Sequence, residues 1–192
     1  MFRDGNYTRS LTYRFPASRP NQDQKVPRMK RMILMRHAKS SWEDDVADFD
    51  RPLNCRGLRD APRIAAAIAS LGWNPDIVVH SAALRTTQTW ELMASTFSDV
   101  RQVVSSKSLY HGSPADIQAA IENLPEDCQT SLIIGHNPGW ELAVSQLSNQ
   151  NLRMTTANAA LFQNETSDWR NLLHANQSWQ FVTILRPKEL AE

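Results

Sequence analysis

The sequence predicts an α/β domain: three layers, αβα, around a mostly parallel sheet of about six strands. Three observations carry that expectation. At 192 residues the chain has room for one domain of ordinary size. From residue 32 onward, short apolar runs alternate with segments of helical periodicity. Several of those runs end abruptly in charged and small residues, as buried strands do when they empty into loops.

The first strand is "RMILM", residues 31–35, followed by a loop over 38–54 that is rich in Asp and Ser. Residues 57–71 read as a helix, with Ile64, Ile68 and Leu71 on one face. Pro62 interrupts that pattern, so the helix is expected to kink there or to begin near Asp60. "DIVVH" (76–80) is the second strand, and 83–97 the next helix, with Trp90, Ala94 and Phe97 together. "VRQVVSS" (100–106) is the third strand. Residues 113–124 form the clearest helix: Ser113 at the N-cap, Pro114 at the first helical position, and Ile117, Ala120, Ile121 and Leu124 sharing a face. "SLIIGH" (131–136) is the fourth strand, and 138–148 a helix opened by Pro138. "NAALFQ" and "SWQFVTILR" close the domain as two strands around a Trp-containing loop.

Composition narrows the class. The chain is 41% hydrophobic and 21% charged, as soluble domains are. No apolar run approaches the roughly 20 residues of a membrane span, and no secretory h-region is present. Cys55 and Cys128 form neither a disulfide framework nor a metal-ligand spacing, which points to a reducing, cytoplasmic setting. Charge is uneven. Residues 1–31 carry eight cations against Asp4 and Asp23, a net +6; with +1 overall, the remainder carries −5. These residues are polar and aperiodic, and read as a disordered, basic N-terminal extension ahead of a domain over 32–188. Met29 and Met32 favour an alternative start over a nucleic-acid arm or a transit peptide.

The strand ends carry the chemistry. The first ends in Arg36-His37, the second in His80-Ser81 with Arg85 a few residues on, and the fourth in Gly135-His136-Asn137. Parallel strands would bring all three to one sheet edge. Two guanidiniums there repel one another unless an anion lies between them, and phosphate suits their planar forks. A neutral imidazole in that pocket can attack phosphorus and form a phosphohistidine. The arginines and the second imidazole would stabilise the equatorial oxygens in flight. Cationic side chains take the place of a metal. His80, His111 and His174 lack such a setting and read as structural. A metal site from His37, His80 and His136 is disfavoured, because no Cys or carboxylate partner is suitably spaced and the arginines would repel the ion.

"LMRHAKSSW", "HSAALRTTQT" and "IIGHNPGWELA" resemble the signature segments of the histidine phosphatase superfamily, the phosphoglycerate-mutase-like proteins. "RHAKSSWEDD", "DFDRPLNCRG", "RDAPRIA" and "GHNPG" are similar to its SixA-type phosphohistidine phosphatases. The resemblance runs from Met32 to Pro187. It implies His37 as the phosphorylated nucleophile, Arg36 and Arg85 as phosphoryl ligands, and His136 as the second pocket histidine. It places Ser81 and Asn137 beside the pocket as phosphate- or substrate-binding residues. No metal or other cofactor is implied. Ala82 stands where relatives have Pro, and "MTTANA" (154–159) where many read "MPTGA".

Other branches of the superfamily add a carboxylic acid that protonates an alkoxide leaving group. Here "SLYHGSPADI" offers none before Asp116, and Glu43, Asp44, Asp45 and Asp48 read as a solvated loop. A labile P–N bond to imidazole suffers less from a missing acid, which general acid catalysis makes worth roughly 10²–10⁴-fold. The expected substrate is therefore phosphohistidine on a partner protein, a phosphorelay or phosphotransferase component, and neither nucleic acid nor membrane. The rivals are a phosphatase of small phosphomonoesters and a non-catalytic module that binds phosphate or phosphohistidine.

Overall fold

The computed structural model describes residues 28–42, 45–166, 169–170 and 179–190. Residues 1–27, Glu43, Asp44 and His174 lie outside them. Strands β1 (Arg28–Arg36), β2 (Ile77–Ser81), β3 (Gln102–Ser106), β4 (Thr130–Gly135), β5 (Ala159–Thr166) and β6 (Gln180–Leu185) make one sheet of order β3-β2-β4-β1-β5-β6. The first four are mutually parallel; β5 runs antiparallel to β1 and to β6. The sheet is thus mixed and mostly parallel, as expected. β1 begins at Arg28, so residues 28–31, read from sequence as the end of the basic extension, are strand. Their backbone pairs with β5 from Arg28 onward.

β1 shows how the layers arise. Side chains alternate across a strand, and here both faces are covered. Met32 and Leu34 join one core, with Ile117, Ile121, Trp140 and Val144. Ile33 and Met35 join the other, with Ile64, Ile68, Trp90 and Met93. Helices α3 (Pro114–Glu122) and α4 (Gly139–Ser148) therefore cover the first face, and α1 (Cys55–Ser70) and α2 (Leu84–Ala94) the second.

α1 lies where the periodicity placed it, but a start near Asp60 does not hold: the helix begins at Cys55 and runs through Pro62. Its first turn is secured upstream: the Asn54 side chain accepts from the Gly57 N–H at 3.0 Å, and Leu58 N–H donates to the Asn54 carbonyl at 3.0 Å. Pro62 cannot bond the Leu58 carbonyl, a cost that burial of Ala61, Ile64, Ala65 and Ile68 offsets. α3 starts as read, with the Asp116 carboxylate accepting from Ser113 N–H at 2.7 Å.

β1 and β4 are neighbours, yet the chain leaves them for opposite faces, toward α1 and α4 respectively. Such a switch point opens a crevice at the carboxyl ends of the strands. Its floor is tightly built. Gly135, the last residue of β4, lies against fully buried Trp140, whose indole N–H donates to the Ile133 carbonyl at 3.2 Å. A Cβ at Gly135 would collide with that ring. Gly135→Ala is expected to cost about 1–3 kcal/mol. Urea unfolding should show a lowered midpoint with an unchanged slope.

Candidate active site

Three parallel strands deliver the predicted side chains to this crevice. Arg36 ends β1, His37 follows it, and the His37 N–H donates to the Gly135 carbonyl at 3.0 Å. His136 follows β4, with its ring centroid 5.0 Å from that of His37. Arg85 enters from the first turn of α2. A cavity of about 210 Å³ is lined by Arg36, His37, Arg51, Arg85, His111 and His136, with Asn137 and Asp48 at its wall.

The His37 ring is held in one tautomer. Its Nδ1 lies 2.7 Å from the Ala38 carbonyl, which can only accept, so Nδ1 carries the proton and Nε2 keeps its lone pair. Burial, then the nearby Arg85, Arg36 and Arg51 charges, push its pKa down to about 3, although the Ala38 carbonyl pulls the other way. The ring is therefore neutral at pH 7. The Ala38 N–H donates to Thr89 Oγ1 at 3.0 Å, which ties this corner to α2.

His136 is also neutral. Burial first, then His37, Arg85 and His111, lower its pKa to about 2. Its Nε2 meets Ser81 Oγ at 2.8 Å, and its Nδ1 is buried without a hydrogen-bond partner. Ser81 is fully buried behind this ring. It accepts from the Ala83 N–H at 3.3 Å, so it meets the pocket through His136 and not directly. Asn137 does line the pocket; its amide donates to the Met154 carbonyl at 2.9 Å and to Glu141 at 3.1 Å. His80 stays structural, with Nδ1 2.8 Å from the Ser81 carbonyl.

Two sequence readings are corrected. Asp48, taken for a solvated loop acid, is a hub. Its carboxylate accepts from Arg85 Nη2 at 3.0 Å, Tyr110 Oη at 2.7 Å and Arg51 Nη1 at 2.7 Å. Partial burial would raise its pKa, but Tyr110, Arg85 and Arg51 hold it down to about 2. His111, taken for structural, lines the pocket at a φ of 55°, its ring 4.1 Å from that of Tyr110. Arg51 and Tyr110 were not singled out from sequence. The signal for Arg51 was the spacing in "DFDRPL", which sets Asp48 and Arg51 three apart on one 3-10 turn. Tyr110 carried no comparable signal, because its hydroxyl reaches a residue 62 positions away.

Among the described residues, the pocket holds Arg36, Lys39, Arg51 and Arg85 against the single carboxylate of Asp48. Arg36 Nε is buried without a partner. A concave site with this surplus of positive charge is built for an anion, and a neutral imidazole on its wall can act as a nucleophile.

The histidine phosphatase superfamily (branch 1) matches this chain over residues 32–109, a segment that includes Arg36, His37, Asp48 and Arg85. An uncharacterised chloroplastic protein of Arabidopsis thaliana is 35% identical over 170 residues, which covers 82% of this chain and 78% of that one. The chain belongs to the histidine phosphatase superfamily. Two solved structures share its fold. A protein assigned as the phosphohistidine phosphatase SixA of Agrobacterium tumefaciens is 25% identical, with a TM-score of 0.70 over 82% of this chain and 98% of that one. A second, similarly assigned and from Nakamurella multipartitia, is 24% identical, with a TM-score of 0.74 over 84% and 98%.

The histidine environments generate a prediction. Unfolded histidines titrate near 6.5, whereas His37 and His136 titrate near 3 and 2 in the fold. Below about pH 6.5 the unfolded chain takes up protons that the native state does not, so stability falls as pH falls toward 4. ¹⁵N NMR of the ligand-free protein should find both rings neutral at pH 5. Urea midpoints should drop between pH 7 and pH 4, and the drop should be smaller in His136→Gln.

Proposed function

We propose that the protein is a phosphohistidine phosphatase that acts on a phosphohistidine-bearing protein through a covalent phospho-His37 intermediate. The observation that carries this reading is the Ala38 carbonyl on His37 Nδ1, which leaves an unprotonated Nε2 among guanidiniums. In the first step Nε2 attacks phosphorus, and the bond from phosphorus to the leaving imidazole nitrogen breaks. That nitrogen keeps the electron pair, and the leaving ring is protonated by solvent. In the second step water attacks phospho-His37; inorganic phosphate leaves and His37 Nε2 regains its lone pair. Arg36 and Arg85 bind the phosphoryl oxygens, and His136 donates a further hydrogen bond to them. Such preorganised donors act on charge that develops in the transition state. Ser81 orients His136, and Asn137 holds the wall through Met154.

The leaving group follows from Asp48. With a pKa near 2 and three donors upon it, this carboxylate is ionised at neutral pH and has no proton to give. A poor alkoxide leaving group would need that proton, whereas an imidazole does not. The unpaired Cys55 and Cys128 suit a reducing compartment, and we place the protein in the cytoplasm.

The test is phosphate release from a phosphohistidine-bearing protein. Wild type should release phosphate and His37→Ala should not; an acid-labile, base-stable phosphoryl label on the wild-type chain should be absent from the variant. Greater turnover of a small phosphomonoester than of phosphohistidine would overturn the substrate assignment, and no turnover of either would leave a binding module. Asp48→Asn should lower kcat/KM about ten- to a hundredfold by loosening Arg85. The pH profile should keep its shape; loss of a limb would instead mark Asp48 as a proton donor.

A further inference from the structure

A second cavity, of about 380 Å³, lies beside the pocket. Among the described residues its lining is cationic: Arg56, Arg59, Arg63, Arg153, Arg186 and Lys188, against Asp60 and Glu189. Arg56, Arg59 and Arg63 stand at i, i+3 and i+7, on one face of α1. Arg153 comes from the loop before β5, and Arg186 and Lys188 from the segment after β6. Asp60 is buried beneath Arg56 and Arg59, at 3.8 and 3.1 Å. The Arg59 and Arg153 side chains remain 64% and 85% exposed, so the cationic surface stays open to a partner.

The groove is joined to the pocket. Thr156 lines both, and it accepts from Arg56 Nη2 at 3.1 Å. The loop that carries Thr156 also supplies the Met154 carbonyl that holds Arg36. We propose that this groove docks an acidic surface of the phosphoprotein substrate, next to its phosphohistidine; this rests on the function proposed above. Three features select a protein surface. The cations come from three separate elements, a spread wider than one phosphate spans. Among the described residues the lining contains no aromatic ring on which a base could stack, as single-stranded nucleic acids require. Its one purely apolar residue among them is Pro187, too little to hold the body of a small ligand.

Charges at the rim of an interface act chiefly on association and its salt dependence. The test uses Arg59→Glu/Lys188→Glu, with Arg59→Ala/Lys188→Ala as the milder pair should the first fold poorly. In the double variant, kcat/KM on a phosphohistidine-bearing protein should fall about tenfold or more at low salt. Turnover of free phosphohistidine should be unchanged, and the difference should shrink as salt is raised. In parallel, an oligoglutamate peptide should bind wild type and not the variant. Equal turnover of the phosphoprotein by variant and wild type overturns the proposal. So does failure of oligoglutamate to bind wild type, or tighter binding of an oligonucleotide of equal charge. If wild type hydrolyses neither form of phosphohistidine, the function proposed above fails, and oligoglutamate binding still decides the groove.

Discussion

Three guanidiniums share one small pocket, and the site depends on how their mutual repulsion is contained. Each is held by a backbone carbonyl. Arg36 Nη1 donates to Met154, Arg51 Nε to Ser41, and Arg85 Nη1 to Asp48. Carbonyl dipoles steady the cations without neutralising them, so the pocket keeps its positive field. Among the described residues only one carboxylate enters, that of Asp48, and its two oxygens are engaged by Arg51, Arg85 and Tyr110. The neutrality of His37 and His136 follows first from burial and then from this crowding. A further positive charge on either ring would have to form in a buried place already rich in cations.

The loop before β5 is the structural price of holding Arg36. Ala157 donates to both the Arg36 and the His37 carbonyls, at 3.1 and 3.0 Å, and does so at a φ of 61°. A left-handed backbone is costly for a residue with a Cβ. In "MTTANA", Ala157 falls where the related "MPTGA" pattern has glycine. The strain therefore sits where the chain must turn to reach the ends of β1.

The fold and the four central residues were legible because both are written in short range. Apolar runs that end in Arg-His, Ser or Gly-His announce strand ends, and parallel pairing then gathers them. What was hidden is long-range or conformational. Asp48 looks like one acid among several in a polar loop until Arg85 and Tyr110 arrive from distant segments. His111 reaches the rim through a positive φ that its neighbours in sequence do not signal. Ser81 sits at the right strand end, but its hydroxyl turns toward His136. Pro62 left a start near Asp60 open, yet α1 begins at Cys55, because packing along the helix outweighs a local breaker.

The place of β1 in the sheet bears on how the protein is made. β1 ends in Arg36, just before His37, yet its two neighbours are β4 and β5, from the far part of the chain. Arg36 is fastened to Met154, 118 residues later. During synthesis β1 thus lacks both of its partners until β4 and then β5 emerge. The corner that holds Arg36 and His37 therefore precedes in the chain the strands that complete it. A chain that stops before β5 leaves β1 without one of its two neighbours in the sheet, so the strand before His37 gains its full setting only when the far part of the domain is present.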